Sequence, residues 1–168
     1  RYYRYMQRNR PFPGRSFQKP KLESEWKKCS GIGQQIDIES EERLQKGLHN
    51  LLPEAGFLGE ENGKHGNKDL FWIVDPLDGT STYLSGIDQF SIYVALYKHG
   101  TISHGFVHKP CDGRTYHCEK GKGVFLNHQP CLPPSPGNLK DALIGTGFPY
   151  RSPDLQDSFF SCAKEVLN

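Results

Sequence analysis

Two aspartates, Asp75 and Asp78, follow the apolar run 72–74 and stand directly before Gly79 and Thr80. Carboxylates supply the hard oxygen ligands that Mg²⁺ prefers. Gly79 lets the backbone approach a ligand closely, and the amides after it can face an anion, most strongly if a helix begins there. The stretch therefore predicts a divalent cation facing a phosphate. The alternative is an ordinary turn, because Asp-Pro and Asp-Gly are common turn dipeptides and Asp-Gly between β-prone runs also favours a hairpin.

A second acidic pair, Glu60 and Glu61, lies upstream after another apolar approach to a glycine. If the two pairs met at the ends of two strands, the like charges would repel one another and shift their protonation equilibria. A bound divalent cation would remove that cost. Taken alone, Glu60-Glu61 favours a solvated loop, whereas the two pairs together favour a metal site.

The two acidic motifs, in this order, resemble those of the inositol monophosphatase family of metal-dependent phosphatases. The resemblance rests on Gly59-Glu60-Glu61 and residues 72–80, and continues through residues 90–96, 105–107, 110, 120–127 and 145–150. It covers about residues 31–168. It implies an α+β fold, a layered α/β sandwich of the sugar-phosphatase type. The N-terminal portion of that fold is expected to be a mostly antiparallel β-meander with flanking helices.

The resemblance also implies a set of metal ligands. Glu60, Asp75 and the backbone carbonyl of Leu77 are expected to hold a first Mg²⁺, and Asp75 and Asp78 are expected to share a second. Two or three ions are implied in all, and Mn²⁺ is expected to substitute. Oxygen donors of this kind suit either cation.

Catalytic and substrate-binding roles follow from the same resemblance. Glu60 and Thr80 are the implied catalytic residues, which orient the attacking water and help to deprotonate it. Asp78, Gly79 and Thr80 are the implied substrate-binding residues, with the Gly79 and Thr80 amides on the phosphate. Asp37 precedes Glu60 at the spacing that the family shows. The resemblance implies that it lies near the metal ions and supports their ligands without being a ligand itself.

The activity implied is Mg²⁺-dependent, lithium-sensitive hydrolysis of a phosphate monoester, inositol monophosphate or a related small sugar or alcohol phosphate. Histidinol phosphate, fructose bisphosphate and nucleotide phosphates stay open as substrates, and a homodimer is expected for the full-length protein. The family's C-terminal Trp-Asp motif is absent, so residues 31–168 resemble the N-terminal part of the family, with the C-terminal half missing. The alternatives are a catalytically incomplete binding module and a structural remnant.

Charge is distributed unevenly along the chain. Residues 1–28 carry nine Lys/Arg and two Asp/Glu, whereas the whole 168-residue chain has a net charge of only +2. The first ten residues interleave cations with aromatic residues, a mixture that can stack on single-stranded nucleic acid. Prolines at 11, 13 and 20 instead favour a disordered basic tail over residues 1–30, and nucleic-acid binding is not the favoured interpretation. In the binding-module alternative, this tail contacts RNA or a partner protein.

Five cysteines without a Cys-x-x-Cys pair predict reduced thiols in a cytoplasmic protein. A zinc site at His117-Cys118 is disfavoured because the tetrahedral ligand spacing is missing. No apolar run approaches the length of a membrane span, and no apolar leader segment follows the basic N-terminus. The expected partner is a small phosphorylated substrate rather than a membrane.

Hydrophobic periodicity predicts the elements that position these residues. A helix is expected over 38–52, with Asp37 as its N-cap. The strands are expected to form a β-meander. A final helix is expected after them, indicated by the apolar spacing of Leu155, Phe159, Cys162 and Val166. The expected strands are residues 69–75, 90–97, 101–109, 114–119 and 140–148.

Overall fold

The computed structural model describes residues 23–132, 137–150 and 152–167. The chain divides into two compact units, Arg1–Leu132 and Pro133–Asn168. Among the described residues, none of the helices combines the length and apolarity that crossing a membrane requires. In chain order the elements of the first unit are α1 (Glu23–Leu51), β1 (Gly56–Gly59), β2 (Gly63–His65), β3 (Leu70–Asp78), α2 (Thr80–Leu84), β4 (Ser91–Lys98), β5 (Thr101–Lys109), β6 (Arg114–Glu119), β7 (Gly123–Leu126) and β8 (Gln129–Pro130).

The strands form one eight-stranded sheet in the order β2-β1-β3-β4-β5-β6-β7-β8. Every neighbouring pair is antiparallel except β1 and β3, which run parallel. The predicted β-meander is therefore confirmed. The β4–β5 hairpin turns through His99 and Gly100, which both take positive φ, as a two-residue type I′ turn requires.

The core lies between helix α1 and one face of the sheet. Leu44 and Leu48, two of the apolar positions that predicted the helix, are only 3% and 2% exposed. Alternate residues of the central strands face them because side chains alternate across a strand. The buried cluster consists of Leu44, Leu48, Phe57, Trp72, Val74, Ile92, Val94, Leu96 and Phe106.

Two predictions about helix α1 are wrong. The helix begins at Glu23 and runs for 29 residues, so Asp37 lies in its interior and not at its N-cap. Residues 23–30, predicted as disordered tail, belong to the same helix. It continues through Gly33, where a Cβ would lie only 3.0 Å from the Leu84 side chain of α2, so the glycine permits close packing there. The rest of the predicted tail, residues 1–22, lies outside the described residues.

The second unit contains helix α3 (Gln156–Leu167), preceded by 3₁₀ turns at Leu139–Asp141 and Pro153–Leu155. The predicted final helix is confirmed. The strand predicted over 140–148 is wrong: residues 140 and 141 lie in a 3₁₀ turn, residues 142–148 have no regular structure, and Leu143 is fully exposed. Gly145 and Gly147 weaken a strand here, and a strand needs a neighbour to pair with.

Candidate metal and phosphate site

The two acidic motifs leave the sheet side by side. Strand β1 pairs with β3 in parallel, and Gly59 at the end of β1 stands opposite Val74. Parallel strands reach the same edge of a sheet at their carboxyl ends. Glu60 therefore emerges next to Asp75, although fourteen residues separate them in sequence. Pairing of β1 with β3 brings together two of the predicted metal ligands.

A β-bulge separates the two aspartates of β3. The register with β4 shifts between Asp75 and Asp78, and the intervening Pro76 has no N–H to contribute to the ladder. The Leu77 N–H donates to Asp75 Oδ1 at 3.1 Å, which fixes the half-buried Asp75 carboxylate, whereas Asp78 is exposed. The strand ends three residues later than predicted because this bulge lets pairing continue to Asp78.

Gly79 makes the turn from β3 into α2. It adopts the left-handed conformation, with φ 94° and ψ 35°, at the position before the first helical residue. A Cβ there would lie 2.8 Å from the Gln89 carbonyl oxygen and from Thr82 Oγ1, so both conformation and space favour glycine. The Thr82 hydroxyl, 2.7 Å from the Gly79 carbonyl, packs against the turn. The helix after Gly79 agrees with the phosphate-facing interpretation and excludes the hairpin.

Thr80 connects the end of β3 with helix α1. Its hydroxyl lies 3.1 Å from the Leu77 carbonyl and 3.5 Å from Asp37 Oδ2. The other oxygen of Asp37, Oδ1, is buried without a hydrogen-bond partner among the described residues. Such an oxygen is costly to bury unless something satisfies it, and a bound cation or an ordered water can do so. The structure thus brings Asp37, Leu77 and Thr80 together as predicted site residues.

Carboxylate crowding is visible in the pKa of Asp37. This pKa is raised from 3.8 to about 6: burial is the largest cause, the charges of Glu61, Glu60 and Asp75 add to it, and the hydrogen bond from Thr80 opposes it. Glu61, which the sequence analysis placed in the second acidic pair but not among the individual metal ligands, thus belongs to the same electrostatic cluster. Carboxylates that share a field in this way are expected where a cation binds.

The pKa of Asp75 is raised for similar reasons. Burial is the main cause, the Leu77 N–H opposes it, and the charges of Glu60 and Asp78 add to it. Within the part of the chain that the structure describes, no three His, Cys, Asp or Glu side chains converge closely enough to form a metal cage by themselves. Mg²⁺ keeps several waters and takes only one or two carboxylates in many sites, so hard oxygens spaced in this way fit its chemistry.

A buried glutamate at the site was missed by the sequence reasoning. Glu41, on α1, has no exposed surface, and its carboxylate accepts hydrogen bonds from the turn after Glu60. The available signal was its position on the apolar face, three residues before Leu44 and seven before Leu48. A charged residue on the buried face of an amphipathic helix normally has a specific partner.

Comparison with known proteins settles the family. The model of the inositol monophosphatase family matches residues 16–167. This chain belongs to the inositol monophosphatase family. The resemblance seen in the acidic motifs is therefore confirmed, and it extends over most of the chain.

Curated relatives carry two kinds of name. The inositol-1-monophosphatase of Rhizobium meliloti is 41% identical over 118 residues, which cover 69% of this chain and 44% of that protein. The protein named Nus factor SuhB from Xylella fastidiosa is 30% identical over 132 residues, which cover 79% of this chain and 48% of that protein. The chain spans about half the length of the curated relatives it matches.

Solved structures of the family share the fold. The extragenic suppressor protein suhB from Bartonella henselae superposes with a TM-score of 0.74 at 31% identity, covering 79% of this chain and 52% of that one. Inositol monophosphatase-II from Staphylococcus aureus gives a TM-score of 0.70 at 26% identity, covering 86% of this chain and 55% of that one. The predicted class, an α+β fold with layered sheet and helices and a mostly antiparallel meander, is confirmed.

Proposed function

We propose that this chain carries the metal- and phosphate-binding part of a Mg²⁺-dependent phosphoric monoester hydrolase. The observation that carries the proposal is that β1–β3 pairing places Glu60 beside Asp75, that Thr80 contacts Asp37, and that the carboxylates of Asp37, Glu60, Asp75 and Asp78 influence one another electrostatically. Family membership supports a phosphatase. Because the relatives are about twice as long, the activity is proposed for the protein as a whole.

Glu60, Asp75, Asp78 and the Leu77 carbonyl are the proposed metal ligands, with two or three Mg²⁺ ions, which Mn²⁺ can replace. The raised pKa of Asp75 supports this assignment, because a cation would offset the crowding of negative charge that raises it. When bound, the ions supply positive charge that polarises the phosphoryl group and lowers the pKa of bound water.

Thr80 and Asp37 are arranged to handle a proton. The Thr80 hydroxyl can accept a hydrogen bond from the attacking water when its own proton turns from the Leu77 carbonyl, 3.1 Å away, toward Asp37 Oδ2, 3.5 Å away. The raised pKa of Asp37 makes that carboxylate a stronger base than an ordinary aspartate. Glu60, exposed at the end of β1, is the second proposed group for orienting the water.

The substrate side of the site comprises Asp78, Gly79 and Thr80. The left-handed turn at Gly79 lets the backbone come close to a phosphate, which supports this assignment. The Staphylococcus aureus relative has been solved with inositol monophosphate bound and with 2′AMP bound. We therefore propose inositol monophosphate, or a related small sugar or alcohol phosphate, as the substrate class. Lithium sensitivity, a homodimer and a cytoplasmic location are further parts of the same proposal.

A binding function is the second candidate. Several relatives are named Nus factor SuhB, and the first 28 residues of this chain carry a strong excess of cations. In this alternative the phosphatase-like body is catalytically incomplete, and the basic segment contacts RNA or a protein. Steep loss of affinity with added salt is the signature of such a contact.

Calorimetric titration with Mg²⁺ and Mn²⁺ tests the metal site directly. We expect binding in the millimolar range for the wild type and none for Asp75→Asn, because the ligand that both ions share is lost. Asp69→Asn, which changes an exposed aspartate just before β3, is the matched control. Equal heats for the wild type and Asp75→Asn would refute the proposed site. Turnover of a phosphate-ester panel by the complete gene product then separates the enzyme from the binding module.

A further inference from the structure

Glu41 is an acidic residue of helix α1, and its side chain is fully buried. Burying a carboxylate costs several kcal/mol unless hydrogen bonds replace its water. Here the Glu61 N–H donates to Oε2 at 3.0 Å, and the Asn62 N–H and side-chain amide donate to Oε1 at 3.1 and 2.8 Å. All three donors are neutral amides of one turn. Among the described residues, the carboxylate thus accepts hydrogen bonds from neutral amides of this turn and forms no salt bridge.

The turn held by Glu41 is the one that contains the proposed metal ligand Glu60. Gly59, the last residue of β1, packs directly against the Glu41 carboxylate, and a Cβ at this position would collide with it. Gly59, Glu61 and Asn62 therefore contact one carboxylate from both sides of Glu60. The side chain of Glu60 stays exposed and available, while the backbone that carries it is fixed.

Helix α1 reaches two turns of the site from one face. Asp37 and Glu41 are four residues apart, which places them on the same side of the helix, one turn from each other. Asp37 contacts Thr80 after β3, whereas Glu41 contacts the turn after β1. The distance between the two turns is therefore set by one rigid helix as well as by β1–β3 pairing.

We propose that Glu41 is a positioning residue for Glu60: its buried carboxylate fixes the backbone of the turn after β1 so that Glu60 is held beside Asp75. The inference rests on the proposed function for what Glu60 binds, but the fixing of the turn is a separate property. Replacing a group that orients a metal ligand without touching the metal typically weakens metal binding by about 10–100-fold. Because Glu41 acts through the backbone, we place its effect near the lower figure.

The test compares Glu41→Gln with Glu42→Gln in the whole chain. Gln at position 41 presents an NH₂ group to one of the three donors, so at least one hydrogen bond is lost without loss of volume. Glu42 is exposed on the same helix, and its change removes the same charge. The two measurements are amide hydrogen exchange by NMR and Mn²⁺ affinity by calorimetry. Should Glu41→Gln not fold, Asn62→Ala removes only the side-chain donor and carries the same comparison.

For Glu41→Gln we expect faster exchange at the Glu61 and Asn62 amides, unchanged exchange in strands β4 and β5, and about 10-fold weaker Mn²⁺ binding. Glu42→Gln should match the wild type in both measurements. Mn²⁺ affinity equal to that of the wild type would overturn the positioning role, as would faster exchange spread evenly over the sheet. If the wild type itself bound no Mn²⁺, the proposed function would fail, and local exchange at the two amides would still decide whether Glu41 fixes the turn.

Discussion

We expect the Asp37→Asn change to raise the free energy of unfolding of the metal-free protein, relative to that of the wild type, more at neutral pH than at acid pH. The pKa of Asp37 is raised from 3.8 to about 6 by burial and by the neighbouring carboxylates. The folded state therefore binds this proton more tightly than the unfolded chain does. It follows that Asp37 makes the protein less stable as pH rises from 3.8 towards 6, and the loss persists above that range.

The size of this effect can be worked out from the pKa. A rise from 3.8 to about 6 corresponds to about 3 kcal/mol at most. Asp37 is only half-buried, so solvent screening reduces this to about 1–2 kcal/mol. About two thirds of this loss of stability should occur between pH 4.5 and pH 7.5. The contribution of Asp37 to the free energy of unfolding should therefore differ by about 1 kcal/mol between the two pH values.

Urea unfolding at pH 4.5 and pH 7.5, with chelator present and tryptophan fluorescence as the signal, measures this difference. We expect the free energy of unfolding of Asp37→Asn, relative to the wild type, to be higher at pH 7.5 than at pH 4.5 by that amount. Any loss from the new amide group cancels because it is the same at both pH values. Glu42→Gln, at an exposed position of the same helix, should show a smaller change. A pH-independent difference for Asp37→Asn would refute the reasoning.

Three further predictions concern the turn, the core and catalysis. Gly79→Ala should lower the free energy of unfolding, measured in urea, by about 1–3 kcal/mol. The loss should exceed that for Gly121→Ala, because Gly121 also has a positive φ but open space around it. Equal losses would contradict the packing argument. Leu44→Ala should cost about 2–5 kcal/mol, whereas Leu132→Ala, 91% exposed, should change the free energy of unfolding by no more than about 0.5 kcal/mol. Thr80→Ala in the active enzyme should lower kcat about 10²–10⁴-fold with a smaller change in KM, and an unchanged kcat would contradict its role in orienting water.

Local signals in the sequence predicted the central strands β3 to β6, whereas the strand predicted over 140–148 was wrong. Strands β5 and β6 have the predicted bounds, because period-two alternation and the glycine turns beside them are encoded within a few residues. The positions of Asp75 and Asp78 at the end of an apolar strand could be predicted for the same reason. Their approach to Glu60 followed only from the family resemblance, since strand pairing over a long separation has no local signal.

The extent of helix α1 and the role of Glu41 could not be predicted from local patterns. Asp37 has the residue type of an N-cap, but the helix continues past it in the N-terminal direction to Glu23. Its side chain instead faces Thr80, a contact that depends on tertiary packing. The position of Glu41 on the apolar face of the helix distinguishes it from Glu42 in sequence, but its hydrogen bonds to the turn after β1 depend on tertiary packing.

Packing and the proposed chemistry use the same side of helix α1. Leu44 and Leu48 bury the helix against the sheet, and Glu41 lies three residues before Leu44, close to that buried face. Asp37, one turn further, reaches the end of β3 through Thr80. A shift or rotation of the helix would therefore disturb the core and both turns at once. This coupling allows crowded carboxylates to persist, since apolar burial by the leucines offsets their repulsion in the folded state.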